Sequence, residues 1–158
     1  MSIEKVKAYF RPLGREQDIL EFPVSSATVE LAAQAVGVIP ARIAKTLSFL
    51  VDGACILVVT AGDAKIDNSK FKAFFHTKAK MLTPEQVSQL TGHTVGGVCP
   101  FAVNEGVDVY LDESLKRFET VFPACGSSNS AIELTIPELE ANCDHFQGWV
   151  DVCKIPEN

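Results

Sequence analysis

Thr46-Leu47-Ser48-Phe49-Leu50-Val51-Asp52-Gly53-Ala54-Cys55-Ile56-Leu57-Val58-Val59-Thr60 holds two apolar, β-prone runs separated only by Asp52-Gly53. An Asp-Gly pair between such runs is a two-residue hairpin signal, because the turn needs positive φ and Gly supplies it without a Cβ penalty. Both runs are nearly continuous in hydrophobicity, so both faces should be covered and the hairpin should be central to its sheet. Helix and strand patterns alternate on either side of it. An α/β fold follows, with a mixed, curved, partly barrel-like sheet and helices packed outside, in preference to a doubly wound parallel sheet.

Outward from the hairpin, Ile3, Val6, Phe10 and Leu13 have helical spacing, with Ser2 as N-cap and Pro12 as the stop. Asp18 to Phe22 reads as a strand, and Ser25-Ser26 as the cap of a helix that Gly37 closes. Pro40 suits the first turn of a short helix ending near Lys45. Asp67 or Asn68 caps a helix through Phe71, Phe74 and Phe75, and Thr83-Pro84-Glu85-Gln86 is a capping box before a helix ended by Gly92. Further on come a strand at Val107–Leu111, a short helix from Asp112, and strands near 119–122 and 131–135. A last capped helix starts at Thr135-Ile136-Pro137-Glu138, and a final strand runs over Trp149–Val152.

The 158 residues suit one domain over 1–158, and a 47% hydrophobic, 22% charged composition is that of a globular protein. No apolar run reaches the ~18 residues of a membrane span, and Met1-Ser2-Ile3-Glu4-Lys5 lacks the layout of a secretion signal. The expectation is a cytoplasmic protein without a membrane partner. Cys55, Cys99, Cys125, Cys143 and Cys153 are odd in number and irregular in spacing, which suits reduced, buried thiols and no zinc pattern. No metal and no cofactor are expected. The net charge of −6 weighs against broad phosphate-backbone binding, DNA included. A nucleic-acid partner would be touched over a small area.

Thr94-Val95-Gly96-Gly97-Val98-Cys99-Pro100-Phe101 is the candidate for chemistry. Adjacent glycines let backbone N–H groups approach a ligand closely, and Pro100 holds Cys99 away from helical geometry. Amides presented this way could polarise a carbonyl that gains charge in a transition state. On these residues alone, an ordinary turn fits as well. Lys45, between Ile43-Ala44 and Thr46-Leu47, fits either a phosphate-holding cation or a stem that snorkels its ammonium to solvent.

Taken in order, Ser25-Ser26, Lys45-Thr46-Leu47, Gly62-Asp63, Thr91-Gly92, the Gly96-Gly97-Val98-Cys99-Pro100 loop and the Gly126-Ser127-Ser128-Asn129 turn resemble the YbaK/ProX family of stand-alone aminoacyl-tRNA editing domains. The similarity runs from about Asp18 to about Asp151. It implies hydrolysis of the ester joining a small amino acid (Ala, Ser, Thr or Cys) to the tRNA 3′ end. It also implies partnership with a synthetase such as prolyl-tRNA synthetase. By resemblance, Lys45 would hold the terminal adenosine or its phosphate, and Gly96 and Gly97 would polarise the ester. Val98, Cys99, Pro100, Phe101 and the turn Gly126, Ser127, Ser128 and Asn129 would line the substrate site. A water would attack, so no protein nucleophile is implied. One departure limits transfer of substrate choice. In the Cys-tRNA deacylase branch the second turn is basic and followed by Asp, whereas here it is uncharged with Ala131 at that place.

Two rival readings stand beside this one. The first is a non-catalytic module binding a nucleotide, an aminoacyl-adenylate-like ligand or a synthetase. The second is a cysteine hydrolase using Cys99, although a thiol without a nearby cation stays protonated at neutral pH. Among the histidines, His93 after Gly92 is the one close enough in sequence to reach the loop.

Overall fold

The computed structural model describes residues 2–156, and the cap expected of the Ser2 side chain lies outside the described residues. In chain order it contains α1 (Ser2–Phe10), β1 (Leu20–Glu21), α2 (Val29–Val36), β2 (Ile43–Val51), β3 (Ala54–Ala61), β4 (Lys65–Ile66), α3 (Asn68–Phe75) and α4 (Pro84–Thr91). Then follow β5 (Asp108–Asp112), β6 (Thr120–Pro123), β7 (Ser130–Ala131), β8 (Leu134–Thr135), α5 (Ile136–Asn142), β9 (Phe146–Val150) and β10 (Cys153–Lys154).

The hairpin forms as expected, with Asp52 at φ 51° and Gly53 at φ 81°, the doubly positive pair of a tight two-residue turn. It occupies the centre of a six-stranded sheet ordered β8-β6-β2-β3-β5-β9. The β2–β3 and β6–β8 pairs are antiparallel, and β2–β6, β3–β5 and β5–β9 are parallel. The sheet is curled into a half-barrel. Cys55 to Ala61 of β3 are all buried, as expected of a strand covered on both faces. Phe49, Phe71 and Phe75 stack on one side of the core, while Phe10 and Phe101 meet edge-on elsewhere in it.

Several local expectations shift. The cap of α2 is Thr28, whose side chain accepts from Leu31 N–H, and not Ser25 or Ser26. Those two serines instead reach toward the Ser128 carbonyl. The short helix at Pro40 is a 3-10 turn over Pro40–Arg42, so Lys45 belongs to β2 and not to a helix end. Asp18 closes a 3-10 turn and the strand there shrinks to β1. The 131–135 run splits into β7 and β8, which pair with β1 and β6 respectively. The last strand divides into β9 and β10, the latter paired with β4. In each case a short segment is captured by a distant partner, which local periodicity does not encode. The capping boxes Thr83/Gln86 and Thr135/Glu138 form with both reciprocal hydrogen bonds.

Candidate active site

Strand β2 pairs with β6 only at Ile43–Phe122 and Ala44–Pro123. Beyond Ala44 that edge stays open until the 80–82 segment docks on it, with Leu82 N–H donating to Ser48 O at 3.3 Å and Leu50 N–H to Lys80 O at 2.9 Å. Backbone groups of a strand alternate sides with period two. Since Ser48 and Leu50 turn theirs toward this edge, Thr46 does so too, into the gap. The gap is a cleft of about 400 Å³, within the size range of small-molecule sites. Its floor is β2 from Ile43 to Ser48. One wall is Ser26–Val29 with Ala32 of α2, and the opposite wall is Met81, Leu82, Pro84 and Val87. Val95, Gly96 and Val98 border it, as do Phe122, Ala124, Ser130 and Ala131 at the end of β6 and the turn beyond.

Lys45 is the single titratable side chain among the described lining residues. Its Nζ donates to Ala64 O at 2.6 Å. Burial lowers its pKa from the ordinary 10.5, and the nearby Lys65 pushes the same way against Asp63. Thr46 adds a buried Oγ1 that has no hydrogen-bond partner. The cleft therefore offers a half-buried ammonium, the Thr46 backbone, and Ser and Thr hydroxyls, with no carboxylate or imidazole.

The glycine loop is held by the second turn. Gly97 N–H donates to Thr94 O at 3.0 Å, closing a turn. Its amide is thus occupied, while those of Gly96 and Val98 make no hydrogen bond to the described residues. Gly96 sits at φ +91°, where a side chain is strained. Gly97 is glycine for a different reason: a Cβ there would lie 2.6 Å from Gly126 C and Ser127 N. Two loop backbones touch at that point. The second turn is tied in place by Ser26 N–H donating to Ser128 O (2.6 Å), Asn129 Nδ2 donating to Phe22 O (3.0 Å) and Ser127 Oγ bonding Ser130 Oγ (2.7 Å).

Of the residues expected at the site, Lys45, Gly96 and Val98 come together on the cleft. Gly97, Gly126, Ser127, Ser128 and Asn129 form the packed support behind it. Cys99, Pro100 and Phe101 turn inward. Cys99 and Phe101 are fully buried, and Pro100 O accepts from Asp144 N–H at 2.8 Å. Burial pushes the Cys99 thiol up to about 12. His93 is also buried and off the cleft. Its Nε2 lies 2.8 Å from Phe101 O, which requires the Nε2–H tautomer because a carbonyl can only accept. That nitrogen cannot then take the Cys99 proton, although Sγ is 3.6 Å away. The cysteine-hydrolase geometry is absent from this pair. Sequence reading missed Thr46, Ser48 and Ser130 as cleft residues. The alternation along β2 was the available signal for the first two, but it needed the open edge to acquire meaning.

The sequence profile of the aminoacyl-tRNA editing domain matches residues 24–141, which contain the whole cleft. The chain belongs to this family. Over 155 residues it is 56% identical to YwhH of Bacillus subtilis (strain 168), an uncharacterized protein, covering 98% of both chains. A proline–tRNA ligase of Geobacillus sp. (strain WCH70) is 31% identical over 102 residues, 64% of this chain and 18% of the ligase. The chain thus resembles a segment of that much longer enzyme. A crystal structure described as a candidate trans-editing enzyme for prolyl tRNA synthetase superposes with a TM-score of 0.86 at 30% identity, covering 97% of each chain. Among the described residues no helix is long and apolar enough to cross a membrane.

Proposed function

We propose that this editing-domain protein hydrolyses the ester bond of tRNA mischarged with a small amino acid (Ala, Ser, Thr or Cys), acting as one domain in the cytoplasm. The observation that carries this reading is the cleft's composition: one lysine, backbone groups and hydroxyls, with no carboxylate or imidazole. An aminoacyl ester is already activated, so positioning and charge stabilisation supply the needed catalysis. Lys45 would anchor the phosphate or ribose of the terminal adenosine as a point charge. The amides of Gly96 and Val98 would face the ester carbonyl as its oxygen gains charge. Thr46, with its carbonyl and amide, would orient the aminoacyl group. The attacking water would be aligned by the substrate's ribose hydroxyl.

The choice of small substrates is supported by a general limit: a synthetase pocket cannot strongly reject a smaller or near-isosteric amino acid by binding alone, so a second hydrolytic site is needed. Similarity to a segment of a proline–tRNA ligase supports tRNA as the substrate carrier and a synthetase as partner. The test is a panel of mischarged tRNAs incubated with purified protein, with release of the amino acid followed in single turnover. Ester turnover above the spontaneous rate for at least one small amino acid is expected. Background turnover throughout, with tRNA or adenylate binding retained, would instead establish a binding module.

A further inference from the structure

Basic side chains are used in two ways in this chain. Each arginine is held in an ion pair: Arg11 with Glu16, Arg15 with Asp18 and Glu138, Arg42 with Glu133, and Arg117 with Asp63. Seven lysines have no such partner among the described residues: Lys5, Lys72, Lys78 and Lys80, which lie apart from one another or along other segments, and Lys45, Lys65 and Lys154. The last three are adjacent. Lys45 Nζ rests on the carbonyl of Ala64, the residue before Lys65. Lys65 on β4 is the direct cross-strand partner of Lys154 on β10, and both are exposed.

Like charges directly opposite each other in an antiparallel pair repel and disfavour the pairing. Glu30 acts on Lys45 from a distance without an ion pair, and the acids around Lys65 and Lys154 are engaged elsewhere. Asp63 binds Arg117 through both oxygens at 3.1 and 2.5 Å. Asp67 caps α3 by accepting from Lys70 N–H. Asp151 pairs with Lys70 at 3.1 Å, and buried Asp112 accepts from Ser114 and Val152 amides. In a chain of net charge −6, three adjacent cations without ion-pair partners, beginning at the cleft's Lys45, suit an anionic ligand with repeating charge.

We infer that Lys65 and Lys154 form a phosphate track that continues from Lys45 and holds the single strand of RNA entering the cleft, at the phosphates preceding the terminal nucleotide. This rests on the tRNA reading above and extends it to a second, non-catalytic contact. It also accounts for how an acidic protein can engage a polyanion: the contact is narrow and local.

The test compares wild type with the Lys65→Ala/Lys154→Ala double variant in binding uncharged tRNA, read by fluorescence anisotropy between about 50 and 200 mM KCl. Each single-strand phosphate contact contributes a slope of about −0.7 in log K against log[salt]. The double variant should therefore lose about 1.4 from the slope and bind roughly fivefold more weakly per lysine near 0.1 M salt. Lys116→Ala, which removes the same charge from an ammonium seated over Trp149, should bind as wild type does. A Lys65→Gln/Lys154→Gln variant, with polar stems retained, should reproduce the loss and exclude a folding artefact. On aminoacyl-adenosine, which lacks the preceding phosphates, both double variants should match wild type in rate. An unchanged affinity and salt slope in the double variants would overturn the track, even if ester hydrolysis is confirmed. If tRNA binds with the expected lysine dependence but no ester is cleaved, the track stands and the hydrolase reading falls.

Discussion

Gly97→Ala separates loop support from loop chemistry. Gly97 is not among the positive-φ glycines, so the backbone itself tolerates alanine there. The obstacle is steric. The added Cβ would stand 2.6 Å from Gly126 C and Ser127 N and 2.8 Å from Ser127 Cα, where ordinary contact begins at 3.4 Å. Backbone atoms cannot rotate away as a side-chain tip can, so the two loops must part by most of that difference. Overpacking of this kind costs about 1–3 kcal/mol, and in a chain of this size each kcal/mol lowers Tm by about 2–4 °C. A fall of roughly 2–12 °C is expected. The displacement also reaches the cleft, because the Ser128 carbonyl holds Ser26 on its wall and the Gly96 and Val98 amides flank the moving residue. Loss of one oxyanion donor typically lowers the rate ~10²–10³-fold, and displacement without removal should cost at least ~10-fold. Gly53→Ala is the control: it has φ +81° with nothing within 4 Å of the new Cβ, so it pays only left-handed strain of about 1–2 kcal/mol. Thermal unfolding and single-turnover deacylation on both variants distinguish them. Gly53→Ala should lose stability but keep its rate, and Gly97→Ala should lose both. A Gly97→Ala protein that melts with wild type would refute the loop-on-loop packing, and one that also keeps its rate would remove the loop from the mechanism.

Lys45→Ala should lower deacylation about tenfold or more, as loss of one charge-assisted hydrogen bond worth ~1.5–3 kcal/mol implies; a folded variant with full turnover would end the proposed role. Burial lowers the Lys45 pKa below 10.5, so between the folded value and 10.5 the unfolded chain binds more protons. The stability of wild type relative to Lys45→Met should accordingly rise with pH across that window, as denaturant titrations at several alkaline pH values would show; a falling difference would contradict the burial. All five cysteines are buried, and burial raises Cys55 to about 11 and Cys99 and Cys153 to about 12. Native protein at pH 8 should therefore react slowly with a thiol reagent and expose five equivalents once denatured. Cys99→Ala should retain substantial deacylation, and a trapped acyl-Cys99 adduct by mass spectrometry would reverse that conclusion. Thr28→Ala removes the cap of α2 at about 1 kcal/mol, lowering Tm by about 2–4 °C; no change in melting would mean that the cap contributes nothing.

Chain-local features were legible without the structure. The hairpin was readable because Asp52-Gly53 and its apolar flanks encode turn and burial within fifteen consecutive residues. The two capping boxes were readable because donor and acceptor lie three residues apart. Lys45 and the glycine loop stood out as unusual residues in apolar surroundings. What the loop residues face was not readable. Alternation cannot be followed through an irregular segment, so only the fold could send Val98 to the cleft and Cys99, Pro100 and Phe101 into the core. The same holds for the reason Gly97 is glycine, since the atoms that exclude a Cβ belong to Gly126 and Ser127. Lys65 and Lys154 are unremarkable in sequence and become a pair only through β4–β10 register. The cleft exists because β2 outruns its pairing with β6. Strand register is a property of two segments distant in the chain, and it leaves no trace in the periodicity of either one.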